Sequence, residues 1–456
     1  MSRGKLPSHP AVDAARLAAY DVLVAVREDD AYANLVLPLL LRERRIGGRD
    51  AAFTTELVGG TLRGMGSYDA VIDHLAGREP DAAVRDALRL GAHQLLAMRV
   101  PDHAAVTSTV ELVRARVGHK PAGFTNAVMR RIAERELGSW MDVLDATQAV
   151  RHSHPEWVVE AMGRAVARPQ ELDALLAADN ERPRVVLVAR PGLSTVEELT
   201  AAVKDLAPTV VEHLEVTISQ LGVTLQSGDP GDIPAVREGR AGVQDAGSQL
   251  VALAMSRATV EGRDEHWLDL CAGPGGKAAL LAALANERGA RLLANERQPH
   301  RSKLVVQAMR ATEGDVVTGD GTRPPWPDGF FDRVLVDAPC SGLGALRRRP
   351  ESRWRRTLAD VSDLVPLQQA LLDGALNAVR PGGVVLYATC SPVVEETVGV
   401  VAAVLAGRSD SRLEDAMSLV PEAEDAESAH LEGAVQLWPH RHDTDAMFMA
   451  LLRRER

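Results

Sequence analysis

The 456-residue sequence predicts an α/β protein in three parts: an all-α segment over residues 1–145, a small α/β linking module over 146–240, and an α/β domain over 241–456. The last part is expected to hold a mainly parallel sheet with an antiparallel edge strand. Three observations carry this. The N-terminal part shows apolar residues at helical spacing, clearest in Val106, Val110, Val113 and Val117, and no period-two alternation. The C-terminal part alternates short apolar runs with helical stretches, the pattern of parallel strands joined by crossover helices. Between them the texture mixes one strand with two helices and closes in the Gly/Pro-rich stretch 228–242.

Taken in order, helices are expected over 13–28, 34–45, 51–64, 81–98, around 106–117 and over 122–136, where Ala, Leu, Val and Arg dominate. Pro155 marks the start of another, carrying Trp157, Val158, Ala161, Met162 and Val166. Residues 185–189 read as a strand. Ser194 and Glu197 read as the capping box of a helix that Val196, Leu199, Val203 and Leu206 continue. Further strands are expected over 266–270, 291–295, 315–318, 333–336 and 384–388, with 446–452 as the antiparallel edge strand. Residues 421–433, acidic and Ala-rich, read as a surface loop.

With 46% hydrophobic and 25% charged residues the chain is not collagen-like, coiled-coil or disordered. No apolar run reaches the roughly 18–20 residues of a membrane span, and the opening MSRGKLPSHP lacks the apolar stretch of a signal peptide, so a cytoplasmic protein is expected. The three cysteines, Cys271, Cys340 and Cys390, are too few and odd in number for a disulfide framework and leave reactive thiols open. A net charge of −11 argues weakly against nucleic acid, but binding depends on where basic groups cluster. Arg347, Arg348, Arg349, Arg353, Arg355 and Arg356 fall in one short stretch whose single acid is Glu351, with Trp354 available for stacking. That stretch is the expected RNA contact. Residues 439–445 hold two His and two Asp, but at no zinc-motif spacing, so no metal is expected.

The strongest chemical signal is a strand running through Cys271, Ala272, Gly273, Pro274, Gly275, Gly276 and Lys277 into an apolar helix. Glycines let backbone approach a ligand, and a helix N-terminus offers oriented N–H groups. A Walker A loop fails because Cys271 stands where its first Gly belongs and Ala278 where Ser or Thr belongs. A dinucleotide fingerprint fails because Lys277 replaces its third Gly. An S-adenosylmethionine loop remains, and Glu296, ending the next strand, stands where a carboxylate grips ribose hydroxyls. Asp320 follows another strand, within reach of an adenine amino group. Asp337 with Cys340, and then Cys390, close the ends of two further strands, the edge where open α/β sheets bind ligands. A lone Cys is usually a small buried hydrophobe; two at adjacent strand ends beside a cofactor loop are not.

Together, residues 271–277, the run Asp337-Ala-Pro-Cys-Ser-Gly342 and the run Thr389-Cys-Ser391 resemble the RNA cytosine-C5 methyltransferases of the RsmB/NOP family, and the run Val243 to Gln249 resembles that family's lead into its catalytic domain. The resemblance implies a Rossmann-like class I methyltransferase domain, Cys390 as nucleophile, and Cys340 as the thiol that helps resolve a covalent intermediate. It places residues 271–277, Glu296, Arg301, Asp320 and Asp337 around S-adenosylmethionine, with Asp337 also facing the base. The runs 56–63, 90–96, 101–106 and 124–130 resemble a NusB-type RNA-binding domain, which in this family marks the bacterial 16S rRNA enzymes. A 16S rRNA substrate and a monomer without metal or membrane are therefore expected. A tRNA cytosine-C5 methyltransferase and a non-catalytic assembly factor with a methyltransferase fold are the alternatives. Where the family has Glu-Asn, this chain has Glu396-Thr397, and where it has Asp-Gly-Phe-Phe, this chain has Asp445-Ala-Met-Phe448. Neither departure is expected to touch the chemistry.

Overall fold

Local chemistry at the helix ends sets the N-terminal helices. Asp13 accepts the Arg16 N–H at 2.8 Å and so caps the helix Ala14–Glu28. Helices Ala33–Glu43, Gly48–Arg63, Met65–Ala76, Ala82–Leu96, Asp102–Arg116 and Ala122–Ile132 follow. The stretch expected to run to 64 stops at Gly64, where a Cβ would lie 2.4 Å from the Tyr68 ring, and a second helix starts at once. That helix, Met65–Ala76, and the short Leu137–Val143 escape the periodicity reading. Leu57, Ile72, Leu88, Leu90, Leu112, Met129 and Ile132 are fully buried, each worth about 1.5–3 kcal/mol of transfer free energy.

This computed structural model describes residues 13–206 and 217–456; the opening ten residues read above lie outside them. The chain divides into two compact units. One comprises Met1–Glu160, Leu176–Arg182 and Leu346–Arg355; the other comprises Ala161–Leu175, Pro183–Ala345 and Arg356–Arg456.

In the second unit, strands β1 (Val185–Ala189), β2 (Gly222–Leu225) and β3 (Ala241–Val243) form a small antiparallel sheet in the order β2-β1-β3. The helix Val196–Leu206 packs on it through Leu199 and Val203. Its capping lies one residue from the expected place: Thr195 Oγ1 accepts the Glu198 N–H at 3.2 Å, while Ser194 Oγ accepts from Arg190 N and donates to Arg240 O.

The larger sheet holds β4 (His266–Asp269), β5 (Arg291–Glu296), β6 (Gly314–Thr318), β7 (Phe331–Asp337), β8 (Val379–Thr389), β9 (Ser411–Glu414), β10 (Val435–Gln436) and β11 (Phe448–Arg454). Its order is β10-β11-β8-β7-β4-β5-β6, with β9 also on β11. Strands β4 to β8 run parallel, and β11 pairs antiparallel with β8, Phe448 opposite Thr389. This is the Rossmann-like methyltransferase architecture, preceded by the helical N-terminal part. One expectation needs correcting: β11 is not an edge strand, because the short, polar β9 and β10 both pair with its far side. Trp267 and Tyr387 sit fully buried on the sheet's two faces, in separate apolar clusters.

Candidate active site

The parallel strands β4 to β8 end on one edge, and each delivers a singled-out residue there. After β4 the chain turns through 271–277 into the helix Gly276–Asn286, with Gly273 and Gly275 at φ of 58° and 96°, where a side chain is strained. Gly275 is required for space as well, since its Cβ would lie 2.9 Å from Val305 Cα. A Cβ on Gly276 would meet nothing within 4 Å, so open space lies over the helix's first turn. Arg301 Nη2 is 3.0 Å from where a Gly273 Cβ would stand.

Two buried oxygens beside this loop have no partner. Asp269 Oδ1 accepts the Cys271 N–H at 3.3 Å, but Oδ2 accepts nothing. Burial, reinforced by the Asp337 charge, pushes the Asp269 carboxyl up to about 7. Asn295 donates to Leu270 O at 2.9 Å and leaves its Oδ1 unpaired. A glycine cradle, an open helix N-terminus and two orphaned acceptors fit a ligand with a carboxylate and amino groups. At the neighbouring strand ends, Glu296 is buried, with Oε1 accepting from Gln298 N and Oε2 3.8 Å from Arg301 Nε. Asp320 Oδ1 accepts from Thr322 Oγ1 and N, which holds its carboxyl below the usual range.

The thiols meet at the ends of β7 and β8. Cys340 Sγ lies 3.5 Å from Cys390 Sγ, and both are partly buried. The contact with Cys340 lowers the Cys390 pKa; burial and Asp337 oppose this, and the Lys277 charge assists. Cys340 moves the other way: its hydrogen bond to Cys390, then burial, raise it well above the ordinary thiol value. Of the two thiols Cys390 is therefore the more readily ionised. Lys277 Nζ bonds Asp337 Oδ2 at 2.9 Å. Although burial works against the Lys277 charge, Asp337 and Cys390 keep the ammonium above its usual range. Cys271 does not join the pair, and burial followed by the Asp269 charge raises its thiol well above the ordinary value.

Three residues that sequence reasoning missed hold this centre. Glu396 is fully buried; it accepts from Ser341 N at 2.7 Å, Ser341 Oγ at 2.5 Å, Ser391 Oγ at 2.6 Å and Gln368 Nε2 at 3.0 Å. The departure from the family's Glu-Asn pair lies at Thr397, whose Oγ1 donates to Val393 O at 2.9 Å; Glu396 keeps the family's residue, and its carboxylate bonds the residues that follow both thiols. The signals for it were the family's Glu at this position and the two acids, Glu395 and Glu396, within the otherwise mostly apolar run Val393 to Val401. Gly344 donates to Cys390 O at 2.9 Å and accepts from Ala446 N at 2.8 Å, an approach that only a glycine permits, because a Cβ would sit 2.1 Å from Ala446 O. Asp245, N-cap of the helix Ala246–Arg257, also accepts the Asp445 N–H at 3.2 Å.

Residues 259–453 match the model of the 16S rRNA methyltransferase RsmB/F family, and residues 13–134 match the NusB family. A Mycobacterium tuberculosis (strain CDC 1551) protein described as a candidate methyltransferase is 50% identical, over 99% of each chain. The ribosomal RNA small subunit methyltransferase B of Erwinia tasmaniensis is 30% identical, over 96% of this chain and 97% of its own. This chain belongs to the RsmB family. The solved structure of PH0851 shares the fold over 99% of this chain and 100% of its own, with a TM-score of 0.79 at 22% identity. NSun6 from Pyrococcus horikoshii, solved with SFG, covers 66% of this chain and 98% of its own, with a TM-score of 0.53 at 17% identity. As an RsmB-family member the protein is an S-adenosylmethionine-dependent RNA methyltransferase.

In this RsmB-family chain the arginine stretch is not the basic surface its sequence suggests. Arg353 is fully buried within the first unit, donating to Ser153 O at 2.9 Å, Asn180 Oδ1 at 2.7 Å and Asp179 O at 3.2 Å. Burial brings its guanidinium down to about 10. Arg355 donates to the carbonyls of Val26, Asp30 and Ala31. Trp354 packs against Gly66, whose Cβ would lie 2.6 Å from its ring. Glu351 Oε1 accepts the Ala33 N–H at 3.0 Å, capping from a distant part of the chain a helix whose own Tyr32 gives no side-chain cap. Arg347 is buried, Arg348 half-buried, and Arg356 donates to Ser341 O in the second unit. Arg349 alone of the six is exposed, and it also lies 5.1 Å from the centre of the Tyr32 ring.

The His/Asp run has a structural role. His440 Nε2 and Arg441 bond Glu171 Oε2, and His442 Nε2 bonds Glu424 O. Among the described residues no group of His, Cys, Asp and Glu is placed to hold a metal ion, and no helix is long and apolar enough to cross a membrane.

Proposed function

We propose that this RsmB-family enzyme methylates C5 of one cytosine in 16S rRNA through a covalent bond between Cys390 Sγ and C6 of the base. The observation that carries the reading is the 3.5 Å approach of the two thiols, of which Cys390 is the more readily ionised. Cytosine C5 is a poor nucleophile, and thiolate addition at C6 makes it enamine-like, splitting one hard step into easier ones. Bound S-adenosylmethionine supplies the electrophilic methyl group. The N–H groups at the start of the helix Gly276–Asn286 would hold its carboxylate, Glu296 would grip its ribose hydroxyls, Asp320 would accept from its adenine, and Arg301 would add a positive charge beside the glycine loop.

Cys390 attacks C6 while the Lys277–Asp337 pair delivers a proton at the N3 edge, so Asp337 need not start protonated. After methylation solvent water takes the C5 proton as the Cys390–C6 bond breaks and Cys390 leaves as thiolate, Cys340 assists by hydrogen-bonding the departing sulfur, and the N3 proton returns to the Lys277–Asp337 pair. The target base leaves its stack to reach this edge; within the arginine stretch, exposed Arg349 would be the phosphate contact. Transfer of labelled methyl to undermethylated 16S rRNA, with mapping of the product, tests the reading. A single 5-methylcytosine is expected. Label at another atom, or in tRNA alone, overturns it.

A further inference from the structure

The loops that carry the thiols come from different strands and share no covalent link. The Glu396 carboxylate joins them, alongside the 3.1 Å contact of the Ser341 and Ser391 hydroxyls and the Gly344 N–H bond to Cys390 O. Glu396 stands five residues after Ser391, and its backbone carbonyl accepts the Tyr387 hydroxyl at 2.8 Å, which ties it to β8. Its side chain reaches across to the other loop. Ser341 directly follows Cys340, and Ser391 directly follows Cys390. We propose that Glu396 is a positioning residue for the two-thiol centre: by bonding both Ser341 and Ser391 it fixes the separation of the two sulfurs. This rests on the two-cysteine reading above.

The donors around Glu396 are unequal in a useful way. Oε1 receives the Ser341 N–H and the Gln368 Nε2–H, neither of which can become an acceptor. Gln368 is itself held, since its Nε2 also donates to Pro339 O at 2.9 Å. Oε2 receives two hydroxyls, which can rotate and accept instead. A glutamine therefore fits in one orientation only, with its oxygen at Oε1 and its NH2 between the serines. It keeps the bridge and loses the charge. An alanine loses both: the Ser341 N–H loses its acceptor, Gln368 Nε2 keeps only Pro339 O, and the two hydroxyls, 3.1 Å apart, are left with each other. The carboxylate charge also bears on the chemistry, because it is among the influences that raise the Cys340 thiol, after the Cys390 contact and burial.

The test uses full-length Glu396→Ala and Glu396→Gln with steady-state methyl transfer and with Cys390 alkylation by iodoacetamide across pH, read by mass spectrometry. Glu396→Ala is expected to lower kcat about tenfold or more, leave KM for S-adenosylmethionine within about twofold, and raise the pH midpoint of Cys390 alkylation. Glu396→Gln is expected to recover most of kcat. If Glu396→Ala does not fold, Ser391→Ala takes its place and is expected to shift kcat and the midpoint the same way by a smaller factor. A folded Glu396→Ala with kcat within about twofold of the parent and an unmoved midpoint overturns the proposal. Cys390→Ser, run alongside, separates the failures: if it still turns over, the two-cysteine reading is wrong, and if it is dead while Glu396→Ala is unimpaired, only the role of Glu396 is.

Discussion

Replacing Arg353 by methionine separates a structural arginine from an RNA-binding one. The substitution keeps an unbranched apolar stem and removes the guanidinium. Three buried acceptors, Ser153 O, Asp179 O and Asn180 Oδ1, then lose their donor. Each stranded acceptor costs about 1–3 kcal/mol. Against this, the fall of the Arg353 pKa from 12.5 to about 10 reflects roughly 3 kcal/mol by which burial disfavours the charge, and that cost disappears. The stranded acceptors win narrowly, so a net loss of about 2 kcal/mol is expected rather than the larger loss typical of a broken buried ion pair. Urea unfolding with helix content as the readout measures it, and a salt titration of RNA binding on the folded variant completes the test. The slope of log K against log salt should match the parent, because no phosphate contact has gone. Unchanged stability together with a shallower slope would refute the reasoning and return Arg353 to the RNA surface.

Other consequences follow from the same geometry. Gly344→Ala forces its Cβ against Ala446 O and Cys390 O, so both backbone bonds of Gly344 give way; a loss of about 2 kcal/mol in stability and a larger loss in kcat are expected, and activity equal to the parent would contradict the close approach. Burial, then the Arg353 charge, push buried His154 down from 6.5 to about 4, so the folded state binds fewer protons between those values. Stability is full above pH 6.5 and falls by up to about 3 kcal/mol as pH drops towards 4; His154→Gln should flatten that dependence in unfolding curves, and an unaltered slope would assign it to other groups. Asp320→Ala should weaken S-adenosylmethionine binding in calorimetry, and equal affinity would remove Asp320 from the site.

The fold was legible where burial is continuous. Strands β4, β5, β7 and β8 are apolar runs ending in turn signals, so their places stand out in sequence. The neighbours of β11 were not, because β9 (Ser411–Glu414) and β10 (Val435–Gln436) are short and their composition is that of a loop. The capping position slipped from Thr195 to Ser194 because both are hydroxyl residues and only the backbone decides which one faces the helix. At the site, Cys340, Cys390 and the glycine loop were legible because each closes an apolar strand. Glu396 and Arg353 were not, and for one reason. Charge in a sequence says nothing of its partners, and the groups that satisfy Arg353 lie about 170–200 positions away in the chain. A run of arginines thus reads as a solvated surface when part of it is internal scaffolding.

The central claim is the division of labour between the two thiols, and trapping of the enzyme on RNA tests it most directly. Cys340→Ser, incubated with 16S rRNA and S-adenosylmethionine and run on a denaturing gel, should accumulate a covalent protein–RNA band that maps to Cys390. Cys390→Ser should give neither band nor methylated product. If both variants lose activity equally and neither forms the adduct, the account is wrong.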